Sequence, residues 1–284
     1  GVKTLLSKAS SYALEIGYVD LEDSRQQGLN VTFTGSEIDR FLRQQQLPVW
    51  PLKRNSLLVW IVKEPQGKKA GFVTAEEDEA LYQQMEGLFK QRGLPVRYPL
   101  YDFEDQLNLP VEEAWQLNQE TLTAASNRYN AKNWLVVRCY ETAAQAWRVA
   151  WILGGEESPK LKNLEAKTLG DGFSQVINDA VDQVAAQHAY IPTLEAQHLI
   201  VDVAGIDDYS SYRKLMDLIA GMSMVKSHSL QSVSSQRVSV VLEVEGDQQL
   251  LISALSAYDQ LSLDDNAQLG SRLAVSWRQT SLPQ

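Results

Sequence analysis

The stretch Ser56-Leu57-Leu58-Val59-Trp60-Ile61-Val62 constrains this chain more than any other. It is short, β-branched and apolar at successive positions, so neither face tolerates water once the backbone is extended. A strand of that kind belongs in the middle of a sheet covered on both sides. Helices to cover it stand nearby. One is expected after Thr74, with Leu81, Met85, Leu88 and Phe89 on one face and a stop at Gly93. A second is expected from Pro110 to Asn130, because proline suits a first helical turn. A third runs over 172–188 with Val176, Ile177, Ala180, Val181 and Val184 as its apolar stripe. Between them, 133–140 and 145–153 read as a β-hairpin, since the connection around Thr142-Ala143-Ala144 is too short for a helix. A mixed sheet with helices on both faces is the simplest architecture.

Upstream, the spacing predicts a short helix over 2–7 and two strands, 14–19 and 29–33, joined through a polar turn. A helix capped by Ser36 then carries Ile38, Phe41 and Leu42, and Pro48 and Pro51 end it. Pro192 marks the clearest boundary. After it come a strand (199–203), a helix (209–222), two strands (225–233 and 237–245), a helix (248–258) and a last strand (273–277). That order is the split βαβ, or ferredoxin-like, pattern. The expected fold is therefore α/β (α+β): a mixed α/β domain over 1–192, then a ferredoxin-like βαββαβ domain over 193–284. A length of 284 residues suits about two domains.

The formal net charge is −10, a field that repels phosphate backbones and anionic head groups, so no nucleic-acid partner is expected. Lys53-Arg54 and Lys68-Lys69 are too small to reverse that. Cys139 is the single cysteine, which excludes an intrachain disulfide. No apolar run is long enough to span a bilayer. The chain begins at Gly1 rather than Met, so a targeting segment upstream is expected to have been removed.

Motifs for chemistry are sparse. There is no phosphate-binding G-x-x-x-x-G-K-[ST], and Gly170-Asp171-Gly172 lacks the third glycine of a dinucleotide fingerprint, so a helix-initiating turn is favoured. His188, His198 and His228 are scattered and share no metal-ligand spacing. No metal and no cofactor are expected. Asp102, Glu104 and Asp105 form the one dense carboxylate group; after an extended segment they are placed at a strand end, where a hard cation could bind. A solvated acidic loop is the favoured reading. Cys139 reads as a buried structural thiol. Seven tryptophans are many for this length, and Trp147 and Trp151, four apart in a strand, share a face. Core packing against a helix is favoured there; an open face would mark a partner or ligand groove.

A family resemblance rests on ordered short motifs. Leu47-Pro48-Val49-Trp50, Asn55-Ser56-Leu57-Leu58-Val59-Trp60, Arg92-Gly93-Leu94-Pro95, Pro99-Leu100-Tyr101-Asp102-Phe103-Glu104-Asp105, Trp147-Arg148-Val149-Ala150-Trp151 and Val203-Ala204-Gly205-Ile206 together resemble the bacterial domain-of-unknown-function family 2066. Arg54-Asn55 departs from the Arg-Pro usual in that family. The resemblance implies a secretory signal, hence a periplasmic or envelope location, and no assigned activity. It also implies a first domain similar to the amino-terminal domain of the TolB translocation protein and of lipoprotein activators of cell-wall synthases.

The expected function is a non-enzymatic binding or adaptor role toward another envelope protein. The alternative is a small-ligand or divalent-metal site at 102–105. A third reading is self-association through an exposed edge of the carboxy-terminal sheet. The candidate binding residues are Trp147, Trp151, Asp102, Glu104 and Asp105.

Overall fold

The structure is a computed structural model that describes residues 13–20, 27–155, 159–193, 195–234 and 236–278. In chain order the elements are β1 (Ala13–Asp20), β2 (Gln27–Phe33), α1 (Gly35–Gln44), β3 (Leu57–Glu64), β4 (Gly71–Phe72), α2 (Glu79–Arg92) and β5 (Val96–Arg97). Then follow α3 (Phe103–Asn108), α4 (Val111–Gln116), α5 (Gln119–Asn127), β6 (Asn133–Glu141), β7 (Trp147–Gly154), β8 (Lys162–Ala166) and α6 (Leu169–His188). The chain closes with β9 (Gln197–Ala204), α7 (Tyr209–Ala220), β10 (Val225–Ser234), β11 (Arg237–Val244), α8 (Gln248–Ser256), β12 (Leu261–Leu269) and β13 (Arg272–Trp277). The fold is mixed α/β, with eight helices and two mixed sheets among the described residues. Contacts divide the chain into two compact units: residues 54–187, and residues 1–53 together with 188–284. The expected helix over 2–7 lies outside the described residues.

In the unit 54–187 the sheet order is β4-β3-β6-β7-β8, with β5 also pairing β3. β3 and β6 run parallel, and β6 and β7 form the expected hairpin. Leu57 through Val62 are all buried, as a strand covered on both faces must be. One face presents Leu58, Trp60, Val62, Trp134, Val136 and Ile152 to Ala114, Leu117, Leu122 and Ala125 from the α4–α5 region. The other face carries Val149 and Trp151. Trp151 Nε1 donates to Asp179 on α6 at 3.2 Å, and Gly172 of α6 lies so close to Val149 that an added Cβ would stand 2.9 Å from it. α2 lies beside α6 through Gln84 to Ser174 (3.2 Å) and Arg92 to Asn178 (2.6 Å).

Local chemistry explains the helix ends. Asp78, not Thr74, caps α2, its carboxylate accepting from Leu81 N; Gly93 ends the helix at φ 68°, which costs glycine nothing. The single helix expected over 110–130 is two, because Leu117 turns left-handed at φ 58° and Asn118 starts α5 by accepting from Glu120 N and Thr121 N.

In the other unit β1 and β2 pair antiparallel, and a five-stranded sheet has the order β10-β11-β9-β13-β12. Its core joins Leu199, Val201 and Val203 of β9 and Val240 and Leu242 of β11 to helix residues Leu215, Ile219, Leu251 and Leu255. The single closing strand expected at 273–277 is the inner member of a hairpin: β13 lies parallel to β9, and β12 lies outside it. Val49 belongs to this core, through paired hydrogen bonds with Tyr190 of 2.8 and 3.0 Å. From α1, Arg43 Nε donates to Glu245 at 2.8 Å, and Leu42 packs against the same cluster. The cut expected at Pro192 follows chain order, whereas these contacts group residues 34–53 with the carboxy-terminal sheet.

Candidate functional site

Asp102 caps α3 and Glu104 and Asp105 lie in its first turn, which corrects the strand-end placement of the acidic group. Asp102 is the N-cap of α3, its Oδ1 accepting from Asp105 N at 3.0 Å. The signal was the Asp-x-x-Asp spacing itself, a capping pattern that the alternation argument passed over. All three carboxylates converge on Arg128, in the chain segment that follows α5. The guanidinium donates to Asp102 Oδ1 and Oδ2, both at 2.7 Å, and to Asp105 Oδ1 at 2.6 Å; Glu104 stands 3.1 Å away. This two-pronged pairing is strong because fork and carboxylate match in shape. The Arg128 guanidinium holds the Asp102 carboxyl at about 2, well below its ordinary value, helped by the Asp105 backbone N–H.

Asp105 is 2% exposed and accepts two further bonds, from Tyr101 N at 2.8 Å and from the Tyr129 hydroxyl at 2.5 Å. The Tyr129 hydroxyl in turn accepts from Leu100 N at 2.8 Å. Burial, and the bond to Asp105, push the Tyr129 phenol up to about 12. Tyr101 adopts φ 53°, a left-handed conformation that costs a tyrosine free energy. The bond from its N–H to Asp105 holds that turn, as does its ring, edge-on to Trp60 at 5.8 Å. Segment 99–108 is thus pinned by ion pair, hydrogen bond and ring packing together.

What this pinned segment displays is apolar. Leu100 is 72% exposed, Phe103 75% and Leu107 64%. Leu100 also lines a groove of about 670 Å³ at the edge of the sheet, where β4 and β5 leave the middle of β3 to be covered by the chain around Tyr98–Tyr101. Tyr82, Tyr98 and Tyr101 line the groove, and Glu76, Glu79 and Glu86 rim it. Tyr82 and Tyr98 rings lie 4.5 Å apart, and the Tyr82 hydroxyl donates to Val73 O at 2.8 Å. The buried Tyr98 hydroxyl has no hydrogen-bond partner among the described residues. Burial, and then Glu86, raise the Tyr98 phenol above its ordinary value. No signal in the sequence singled out this groove. Glu79, Tyr82, Gln83 and Glu86 share one face of α2, but the facing tyrosines come from the next segment and meet them only after folding.

The other candidates fall elsewhere. Trp151 is 5% exposed and lies beneath α6, on the sheet face opposite Trp60; Trp147 on the same strand is partly buried. The tryptophan pair is therefore not brought together with Asp102, Glu104 and Asp105. Cys139 is buried, and burial pushes its thiol up to about 12, out of reach of a thiolate nucleophile at neutral pH.

Residues 1–51 match the model of a domain of unknown function, DUF8605. This overturns the likeness to family 2066, since the matched family is a different one. The motifs that carried that likeness are features any α/β unit needs: Leu57 to Trp60 is a strand buried on both faces, and Arg92-Gly93 is a left-handed helix end. No curated protein matches the chain. Among solved structures, a homoserine dehydrogenase from S. aureus is 13% identical, with 37% of this chain and 29% of that chain covered and a TM-score of 0.17. An uncharacterized protein is 11% identical, with 48% of this chain and 92% of that chain covered and a TM-score of 0.17. At such scores neither likeness informs fold or function. No helix among the described residues is long and apolar enough to cross a membrane.

Proposed function

We propose that this protein is a non-enzymatic binding module, an adaptor that docks another protein on the surface formed around residues 98–107. The observation that carries the reading is the exposure of Leu100, Phe103 and Leu107 on a segment pinned by Arg128. Large apolar side chains clustered on a surface mark interaction sites, and a pre-ordered segment loses little entropy when it binds. A photo-crosslinking residue at position 103 tests it. Discrete adducts are expected there and not from a crosslinker at Leu161, which is 57% exposed on the same unit. Identical adducts from both positions would count against the proposal.

The divalent-metal reading at 102–105 has less support, because the Arg128 guanidinium already occupies the carboxylate oxygens that a cation would need. Mg²⁺ or Ca²⁺ is expected to leave the melting temperature unchanged; a rise abolished in Asp102→Ala would restore that reading.

The order β9-α7-β10-β11-α8 supports a ferredoxin-like plan up to α8; the closing part departs from it, because β12 and β13 form a hairpin and β13 lies parallel to β9, where that plan places an antiparallel strand. The TolB-like expectation finds support only in the layering of 54–187. Periplasmic placement came with the family-2066 resemblance and is not carried into the proposal.

A further inference from the structure

We propose that the docked partner presents a basic, amphipathic segment, its apolar side chains on Leu100, Phe103 and Leu107 and a lysine or arginine in the neighbouring tyrosine groove. The inference rests on the docking reading above and names the chemistry of the occupant.

Charge complementarity carries it. Glu76, Glu79 and Glu86 rim the groove, and no Lys or Arg among the described residues lines it. All three glutamates are exposed, and Glu104 adds a fourth carboxylate on α3, partly offset by Arg128. Tyr98 and Tyr101 line the groove and are partly exposed, Tyr82 being buried against Tyr98, and an accessible tyrosine ring attracts cations. An acidic partner would meet repulsion here from every ionised group of the rim. A purely apolar partner would bury the glutamates beside it without compensation. A partner with apolar anchors and cationic side chains satisfies both parts of the surface, and the whole chain's net charge of −10 would speed its approach.

Fluorescence polarisation on the full chain tests this with three synthetic amphipathic peptides of equal length: leucine with lysine, leucine with glutamine, and leucine with glutamate. Two variants accompany it, each checked for unchanged circular dichroism and melting: Glu76→Gln/Glu79→Gln/Glu86→Gln at the rim, and Phe103→Asp/Leu107→Asp on the apolar stripe. The lysine peptide is expected to bind most tightly, to weaken on the order of tenfold in the rim variant, and to be lost in the stripe variant. If the glutamine peptide binds as tightly as the lysine one, or if the rim variant binds the lysine peptide unchanged, the inference is overturned while the docking surface stands. If no peptide binds, or the stripe variant keeps full binding, the docking reading itself is overturned.

Discussion

Asp105 shows how much one side chain can hold. Its carboxylate is buried, and it accepts from Arg128, Tyr101 N and the Tyr129 hydroxyl, joining the chain after α5 to the turn before α3. Replacing it by alanine strands two of those donors, the Tyr101 N–H and the Tyr129 hydroxyl, at roughly 1–3 kcal/mol each. Asp105→Ala is therefore expected to lower unfolding stability by about 3 kcal/mol in a urea titration; a loss under about 1 kcal/mol would mean that water replaces the carboxylate. Asp102 contributes differently. Its folded pKa of about 2 lies below the unfolded value, so its contribution is present above about pH 4 and fades as pH falls toward 2. Melting between pH 5 and pH 2 should show a shallower decline for Asp102→Asn than for the natural chain. Parallel curves would show that Arg128 does not set the acid limit.

At the scale of elements, α1 offers the clearest case. Its sequence is that of an ordinary amphipathic helix, and nothing local says which sheet it serves. The decision comes from Arg43, whose guanidinium reaches Glu245, 3% exposed, and the Ser223 carbonyl at 2.8 Å. Arg43→Ala would leave Glu245 with Lys226 alone, at 3.5 Å. Removing one partner of a buried pair is strongly destabilising, and with that residual lysine the expected cost is about 2–3 kcal/mol in urea unfolding. Arg43→Ala/Glu245→Gln should recover part of the loss, because no buried charge is left behind; a double variant worse than the single one would contradict this account. The α3 helix makes the complementary point. It is six residues long and was hidden in the sequence by Phe103-Glu104-Asp105, which reads as an alternating extended segment. The cap at Asp102 and the ion pair with a residue 26 positions away outweigh that pattern.

For the whole molecule, the division into units predicts what can be cut. Residues 54–187 hold their own sheet, helices and core, and a fragment of that length is expected to unfold cooperatively in urea. A fragment of 193–284 is expected to be markedly less stable than one that also carries the amino-terminal segment. It lacks Val49, Arg43 and Tyr190, which contribute to its core and its buried ion pair. Equal stability of the short and long forms, measured by circular dichroism, would contradict the role given to 34–53.

The sequence alone determined the elements whose cause is local. The six buried residues from Leu57 to Val62 announced a central strand, the 133–153 region its hairpin, and the apolar periodicity at 172–188 a long helix, because burial patterns repeat within a few residues. It also located the acidic group at 102–105 and the tryptophans at 147 and 151. Only the tertiary structure decided what surrounds them. Arg128 fills the acidic group, α6 covers Trp151, and Tyr82 packs against Tyr98 beside a groove at the sheet edge. Ion pairing and burial depend on which distant segment returns to a given surface, and the periodicity of a single stretch carries no record of that return.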